Sequence, residues 1–368
     1  MLINMFRLLM IFMRAVSRNS SMLHLISLLD SIAPLNSGWF TRSMNEFEFI
    51  QKHLSGLAGP QGLGLLDDAA QWSPPRGLEA IISTDTLVEG VHFPDKKFDA
   101  QLAQKLIRVN ISDIIAKGAD PIGYMLSLSL NEKVSEANIF AFCSGLAIDQ
   151  QEYGLKLWGG DTTRTPGPNV LTITIFGTTP TGKMVARAGA QPGDLLCVSG
   201  YIGEAYLGLK THLKQMDTGK FEAECAQWLA KYHVPQPAFE LRHGIQQLAS
   251  AALDISDGLV ADAEHLAKAS NVKLLIDIEN IPVSDETRTW LRTQSDQNMA
   301  KVQLATGGDD YQILAAVNPN NFDKIRAISK DCGIQFTKIG RIEQGAGVLV
   351  LDKNGNEITV DQPGYTHF

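Results

Sequence analysis

The sequence predicts an α/β protein of two domains, and three observations lead there. Its 368 residues exceed the roughly 150 that a single domain commonly holds. Short runs rich in β-branched residues alternate with segments of helical apolar periodicity. A stretch dense in glycine and proline, residues 179–193 (TPTGKMVARAGAQPG), separates two halves that show the same alternation.

The elements follow in order. Residues 79–88 (EAIISTDTLV) and 170–177 (VLTITIFG) read as strands, the second alternating Thr with Leu, Ile and Phe as a half-buried strand does. Between them, Leu102, Leu106 and Val109 step along one apolar stripe and predict a helix over 99–117, which Gly118 and Pro121 stop. The next step of four lands on Asp113. A second helix over 137–153 leads into a short strand at 155–158. Beyond the glycine-rich stretch, strands are expected at 194–199, 273–278, 312–317 and 347–351, and helices at 203–213 and 260–270. The expected division is 44–182 for the first domain and 183–368 for the second.

Residues 1–43 stand apart. Four arginines against Asp30 give them +3, which leaves −11 of the total −8 on the remainder. The apolar run MLINMFRLLMIFMRAV is interrupted by Arg7 and Arg14, too short and too charged for a membrane span. No small-residue cleavage site follows it, which fits a signal peptide poorly; the segment reads as an extended start, or less readily a targeting leader, with Met44 opening the working protein, and its plain alternative is a surface helix.

Composition narrows the class. With 44% hydrophobic and 20% charged residues the chain is an ordinary globular protein, neither disordered nor membrane-embedded. Net acidity argues against nucleic-acid binding, which draws its affinity from a basic face. Cys143, Cys197, Cys225 and Cys332 form no C-x-x-C pair, so neither a zinc site nor a disulfide scaffold is indicated, and a reducing cytoplasm is expected.

The chemistry resides in aspartates. Six segments place Asp beside Gly, Ser or Thr at the border of an apolar run: Leu66-Asp67-Asp68, Ser83-Thr84-Asp85-Thr86, Asn110-Ile111-Ser112-Asp113, Gly159-Gly160-Asp161-Thr162-Thr163, Leu253-Asp254-Ile255-Ser256-Asp257-Gly258 and Thr306-Gly307-Gly308-Asp309-Asp310. A carboxylate at an apolar boundary is costly unless paired or metal-bound. Mg²⁺ takes oxygen ligands, commonly one or two carboxylates with substrate phosphates, so aspartates from both halves could gather it around a polyphosphate. Singly, each Asp is first a turn or helix-cap residue, and Asp257 could cap the helix that follows it. Asp113 cannot be an N-cap in mid-helix, and its plain alternative is an ion pair with Lys105, Arg108 or Lys117. Of adjacent Asp67 and Asp68, one is expected to face solvent and the other the site. No P-loop, kinase H-R-D with D-F-G, or G-x-G-x-x-G opening is present. Arg187 could contact a phosphate or cap a helix, and His92 is a lone histidine just past the Ser83–Asp85 segment.

Taken together, Ser83-Thr84-Asp85-Thr86-Leu87-Val88-Glu89-Gly90-Val91-His92-Phe93, Val109-Asn110-Ile111-Ser112-Asp113 with Gly118-Ala119-Asp120-Pro121, and Gly159-Gly160-Asp161-Thr162-Thr163-Arg164 closely resemble the thiamine-monophosphate kinase family. The likeness continues through Arg187, Asp254 to Leu259, Gly307-Gly308-Asp309-Asp310-Tyr311 and the tail Gly364-Tyr365-Thr366-His367-Phe368, and spans residues 44–368. It implies the two-domain fold of aminoimidazole ribonucleotide synthetase, with an N-terminal sheet pairing across a homodimer. It further implies ATP-dependent phosphorylation of thiamine monophosphate with several Mg²⁺ ions. Carried over by position, Asp68, Ser83, Thr84, Asp85, Asp113, Asp161, Asp254 and Asp257 would hold metal; Gly160, Asp161, Arg187 and Ser256 would meet ATP; His92, Asp309 and Tyr365 would face the thiamine phosphate. Asp85, Asp161 and Arg187 would be catalytic. Two departures stand out: Leu66 replaces a glycine before the first Asp pair, and Asp309 replaces a glutamate, one methylene shorter. Related selenophosphate synthetases would carry a reactive Cys near the N-terminus, and no Cys precedes Cys143. A nucleotide-binding regulator without turnover is the reading from another class, and it has no need of so many carboxylates.

Overall fold

In the computed structural model, residues 46–94 and 97–366 are described, and the segment 1–43 set apart by its charge lies outside them. After short helical turns, β1 (Leu78–Val88), α1 (Ala100–Ala116), β2 (Asp120–Leu130), α2 (Glu136–Tyr153), β3 (Lys156–Arg164) and β4 (Val170–Pro180) build the first sheet and its helices. Its strand order is β1-β4-β2-β3, antiparallel except for the β2/β3 pair. There follow β5 (Leu195–Ser199), α3 (Glu204–His212), α4 (Glu222–His233), α5 (Arg242–Leu248), β6 (Ala249–Ile255), α6 (Leu259–Ser270) and β7 (Lys273–Asp277). The chain then forms α7 (Asp285–Leu291), α8 (Gln297–Thr306), β8 (Gln312–Val317), α9 (Pro319–Asp331), β9 (Phe336–Glu343), β10 (Gly347–Leu351) and β11 (Glu357–Ile358). The second sheet runs β11-β10-β7-β9-β5-β8-β6, with only β7 and β10 parallel. Mixed, largely antiparallel sheets place the fold at the α+β end of the expected class.

One helix positions the site. Asp99 caps α1 by accepting from the Leu102 amide at 3.0 Å, and nearly every residue from Leu102 onward is buried. A helix flanking a single sheet buries one stripe; α1 buries its polar face as well because it packs on the first sheet and also meets β6. Each polar group finds a partner there, as burial demands. Ser112 donates to Asp254 at 2.6 Å and the Lys117 ammonium to the Ala252 carbonyl at 2.7 Å. Arg108 grips Asp149 of α2 through two nitrogens, at 2.8 and 2.9 Å. Beyond β6, Leu253, Ile255, Leu274, Ile276 and Leu314 form the second sheet's core beneath Leu259, Ala263 and Leu266 of α6.

The named elements lie where expected to within a residue or two, except that β4 runs three residues past 177 to Pro180, and two larger differences stand out. The segment after Gly118, for which no element is expected, forms β2, a central strand in which Leu126, Leu128 and Leu130 are buried and alternate with more accessible Ser127 and Ser129. Its Pro121 is tolerated near the strand start, where a missing N–H does least harm. β3 does not stop at Trp158 but runs on through Gly159-Gly160-Asp161-Thr162-Thr163-Arg164, so this motif is strand rather than turn. The reason is Gly160: at φ +155°, a Cβ there would stand 1.8 Å from the Leu126 carbonyl oxygen, and only glycine lets β3 approach β2 so closely. Helices α4, α5 and α7 to α9, and strands β6, β9 and β11, carry no expectation from the sequence. Among the described residues, no helix is long and apolar enough to cross a membrane.

Candidate active site

Four aspartates from both halves converge on one open cavity of about 260 Å³. β1 supplies Asp85, α1 supplies Asp113, β6 supplies Asp254, and the turn after it supplies Asp257. Strand alternation decides which β1 side chains take part. Ser83 and Asp85 lie on the face toward α1, where the Ser83 hydroxyl donates to Asp113 and the Asp85 amide donates to the buried Asn110 side chain at 3.1 Å. Ser256, His92, Tyr232, Asp309, Tyr311 and Tyr365 are among the other residues that line it.

The cluster is electrostatically strained. Burial, reinforced by Asp113 and Asp257, pushes the Asp85 carboxyl up to about 7. Burial together with Asp113 raises Asp254 well above the carboxylate range, against the opposing hydrogen bond from Ser112. Desolvation and like charge both disfavour the ionised form, and a hard divalent cation among these oxygens would relieve both. The donor set, carboxylates and a hydroxyl without sulfur or imidazole at the centre, suits Mg²⁺.

The plain alternatives for two residues do not hold. Asp257 does not cap α6; Gly258 occupies that position, and the buried Asp262 reaches back to accept from the amides of Ser256, Asp257 and Gly258 at 3.0, 3.1 and 3.2 Å. Asp113 pairs with none of its three candidate cations, since Lys105 bonds Asp309, Arg108 bonds Asp149, and Lys117 bonds a carbonyl. The Asp309-Asp310 pair also divides its labour. Asp310 is buried and takes the Gly203 amide on both oxygens, whereas Asp309 opens on the cavity. Asp262 and Asp310 are thus structural carboxylates that sequence reasoning missed; an acid in the first turn of a helix after a Ser-Asp-Gly turn was the available signal for Asp262.

Not every expected site residue joins this cluster. Asp68, Gly160 and Asp161 line a second cavity with Trp158 and Met125. Asp67 and Asp68 are both exposed and both line it, so the expected split between solvent and site is not what the loop adopts. Thr84 points to the opposite face of β1 from Asp85, with its hydroxyl bonded to the Ile173 carbonyl at 2.9 Å and close to Thr174. Arg187 is exposed, and its charge acts on Lys117, which also feels Asp254 and Asp113. His92 accepts from the Val88 amide through Nδ1 at 3.0 Å. Tyr365 is 49% exposed at the cavity rim, anchored by its amide to the Asp257 carbonyl at 3.0 Å.

Family models complete the picture. The AIR synthase related protein N-terminal domain matches residues 66–179, and the corresponding C-terminal domain matches 191–352. Two such domains with a carboxylate-lined cavity define the class. The thiamine-monophosphate kinase of Caulobacter vibrioides is 38% identical over 324 residues, covering 88% of this chain and 90% of the relative. That of Escherichia coli K12 is 36% identical, covering 88% and 98%. The solved structure of AaThiL complexed with AMPPCP and TMP superposes with a TM-score of 0.70 at 30% identity, covering 88% of this chain and 97% of that one. The chain belongs to the thiamine-monophosphate kinase family.

Proposed function

We propose that this protein transfers the terminal phosphoryl group of ATP to the phosphate of thiamine monophosphate, yielding thiamine diphosphate and ADP. The observation that carries the proposal is the convergence of Asp85 and Asp113 with Asp254 and Asp257 on one cavity, the arrangement needed to bring two anionic phosphate chains together. The kinase relatives, and the related structure whose name pairs AMPPCP with TMP, support the same reading.

Asp85, Asp113, Asp254 and Asp257, with the Ser83 hydroxyl, are the residues that would hold Mg²⁺ in this cavity, and Asp68 and Asp161 in the other. Thr84, turned away, could reach such a site only through its carbonyl. Bound there, Mg²⁺ supplies positive charge against the phosphates. Arg187, Gly160, Asp161 and Ser256 would meet ATP, Asp85, Asp161 and Arg187 would serve catalysis, and His92, Asp309 and Tyr365 would orient the thiamine moiety. The attacking group is a phosphate oxygen of the substrate, which with a second pKa of about 6 is largely ionised at neutral pH and needs no general base. Transfer is therefore direct and in line, with no phosphoenzyme.

Residues 44–368 divide into domains at 182/183. The open face of the first sheet, with Ile82 at 59% exposure beside Thr84, Thr86, Thr172 and Thr174, supports pairing with a second copy in a homodimer. All four cysteines are free, which supports a cytoplasmic setting. The test is ADP release: it is expected only when thiamine monophosphate, ATP and Mg²⁺ are all present. ADP release without thiamine monophosphate would contradict the assignment, as would recovery of a phosphorylated side chain.

A further inference from the structure

Lys105 lies on α1 with only 3% of its side chain exposed. Its ammonium stands 3.2 Å from an Asp309 oxygen, 3.1 Å from the Tyr232 carbonyl and 4.1 Å from the centre of the Tyr232 ring. The other Asp309 oxygen accepts from the Tyr311 hydroxyl at 2.9 Å. A buried ammonium is costly without such partners, so the contact is built rather than incidental.

The loop carrying Asp309 is held just as firmly. Asp309 and Tyr311 adopt φ of +71° and +50°, a region that non-glycine residues enter only when their surroundings over-determine them. Their amides donate to the Ser256 and Ile255 carbonyls at 2.9 and 2.7 Å, which pins the loop to the end of β6. Lys105, Val109 and Asp113 follow each other at steps of four, so one face of α1 runs from Asp309 to the carboxylate cluster.

We infer that Lys105 is a positioning residue for the thiamine substrate: it fixes the Asp309 carboxylate at one end of the cavity, at a distance that α1 sets from Asp113. This rests on the proposed kinase reading. With one lone pair of each oxygen engaged by Lys105 and Tyr311, Asp309 keeps further lone pairs with which to accept from a ligand in the cavity it lines.

Steady-state kinetics of Lys105→Met, Asp309→Asn and the double variant test this in the full-length protein. Lys105→Met is expected to raise KM for thiamine monophosphate about tenfold while KM for ATP moves less than about twofold. The double variant should be no worse than the worse single one, because both remove the same contact. Lys105→Arg should recover part of the loss. Should Lys105→Met fail to fold, Tyr311→Phe removes the other bond to Asp309 without burying a charge and should show the same KM split. Parallel rises in both KM values, multiplicative effects in the double variant, or an unchanged thiamine-monophosphate KM in both Lys105→Met and Tyr311→Phe would overturn the assignment. Absence of turnover in the wild-type protein would overturn the kinase reading and this inference with it, whereas wild-type turnover with unsplit KM values refutes Lys105 alone.

Discussion

Asp85→Asn should make the metal-free protein more stable and the enzyme inactive. In the fold, burial and the neighbouring Asp113 and Asp257 raise the Asp85 carboxyl from 3.8 to about 7. A group raised in this way stabilises the fold fully below pH 3.8, and that contribution is lost as pH rises through about 7. Above pH 7 the ionised side chain therefore opposes folding, with a ceiling of about 4 kcal/mol at roughly 1.4 kcal/mol per unit. Some of this relaxes through water at the cavity mouth, leaving about 2 kcal/mol for a neutral asparagine of the same shape to recover. For a chain of this size that is a rise in Tm of roughly 3 °C. The assay is thermal unfolding at pH 8 in EDTA, paired with ADP release in Mg²⁺. Turnover should fall by at least about 10³-fold in the same variant. A lower Tm in EDTA, or retained turnover, would refute the reasoning that this carboxylate is held in strain for a cation.

The other expectations are quickly tested. The increase in Tm on adding Mg²⁺ should be larger at pH 8 than at pH 5.5, since at the lower pH the proton on Asp85 must be displaced at about 2 kcal/mol; equal increments would argue against that site. Gly160→Ala should destabilise the fold by about 2 kcal/mol or more, because its Cβ meets the Leu126 carbonyl at 1.8 Å; an unaltered Tm would show that β3 can shift. Arg187→Met should lower kcat/KM for ATP about 10²-fold without changing Tm, since the side chain is exposed; a stability loss with normal kinetics would assign it a structural role. Ile82→Glu places a charge on the open face of the first sheet and should yield monomers in sedimentation experiments; an unchanged dimer would move the interface elsewhere.

What the sequence disclosed and what it hid have physical causes. Asp113 was legible because it continued the stripe of Leu102, Leu106 and Val109, and a carboxylate on a buried helix face demands an explanation. β2 was not, because Gly118 and Pro121 are both helix-stop signals and strand-entry residues, and the Leu-Ser alternation after them is short. The opposite orientation of Thr84 follows from the period of two along β1, whereas a sequence motif holds neighbouring residues of both faces alike. Separation of Asp68, Gly160 and Asp161 from the main cluster depends on the β2/β3 register, which no local pattern encodes. The Lys105 to Asp309 contact joins residues far apart in the chain, and only the packing of α1 against both sheets brings them together.

The most direct measurement follows phosphorus itself. With ATP labelled in its terminal phosphate, Mg²⁺ and thiamine monophosphate, the label should appear in thiamine diphosphate in step with ADP, and the protein should stay unlabelled. Label in inorganic phosphate, label retained on the protein, or ADP formed at the same rate without thiamine monophosphate would contradict direct transfer at the cavity of Asp85, Asp113, Asp254 and Asp257.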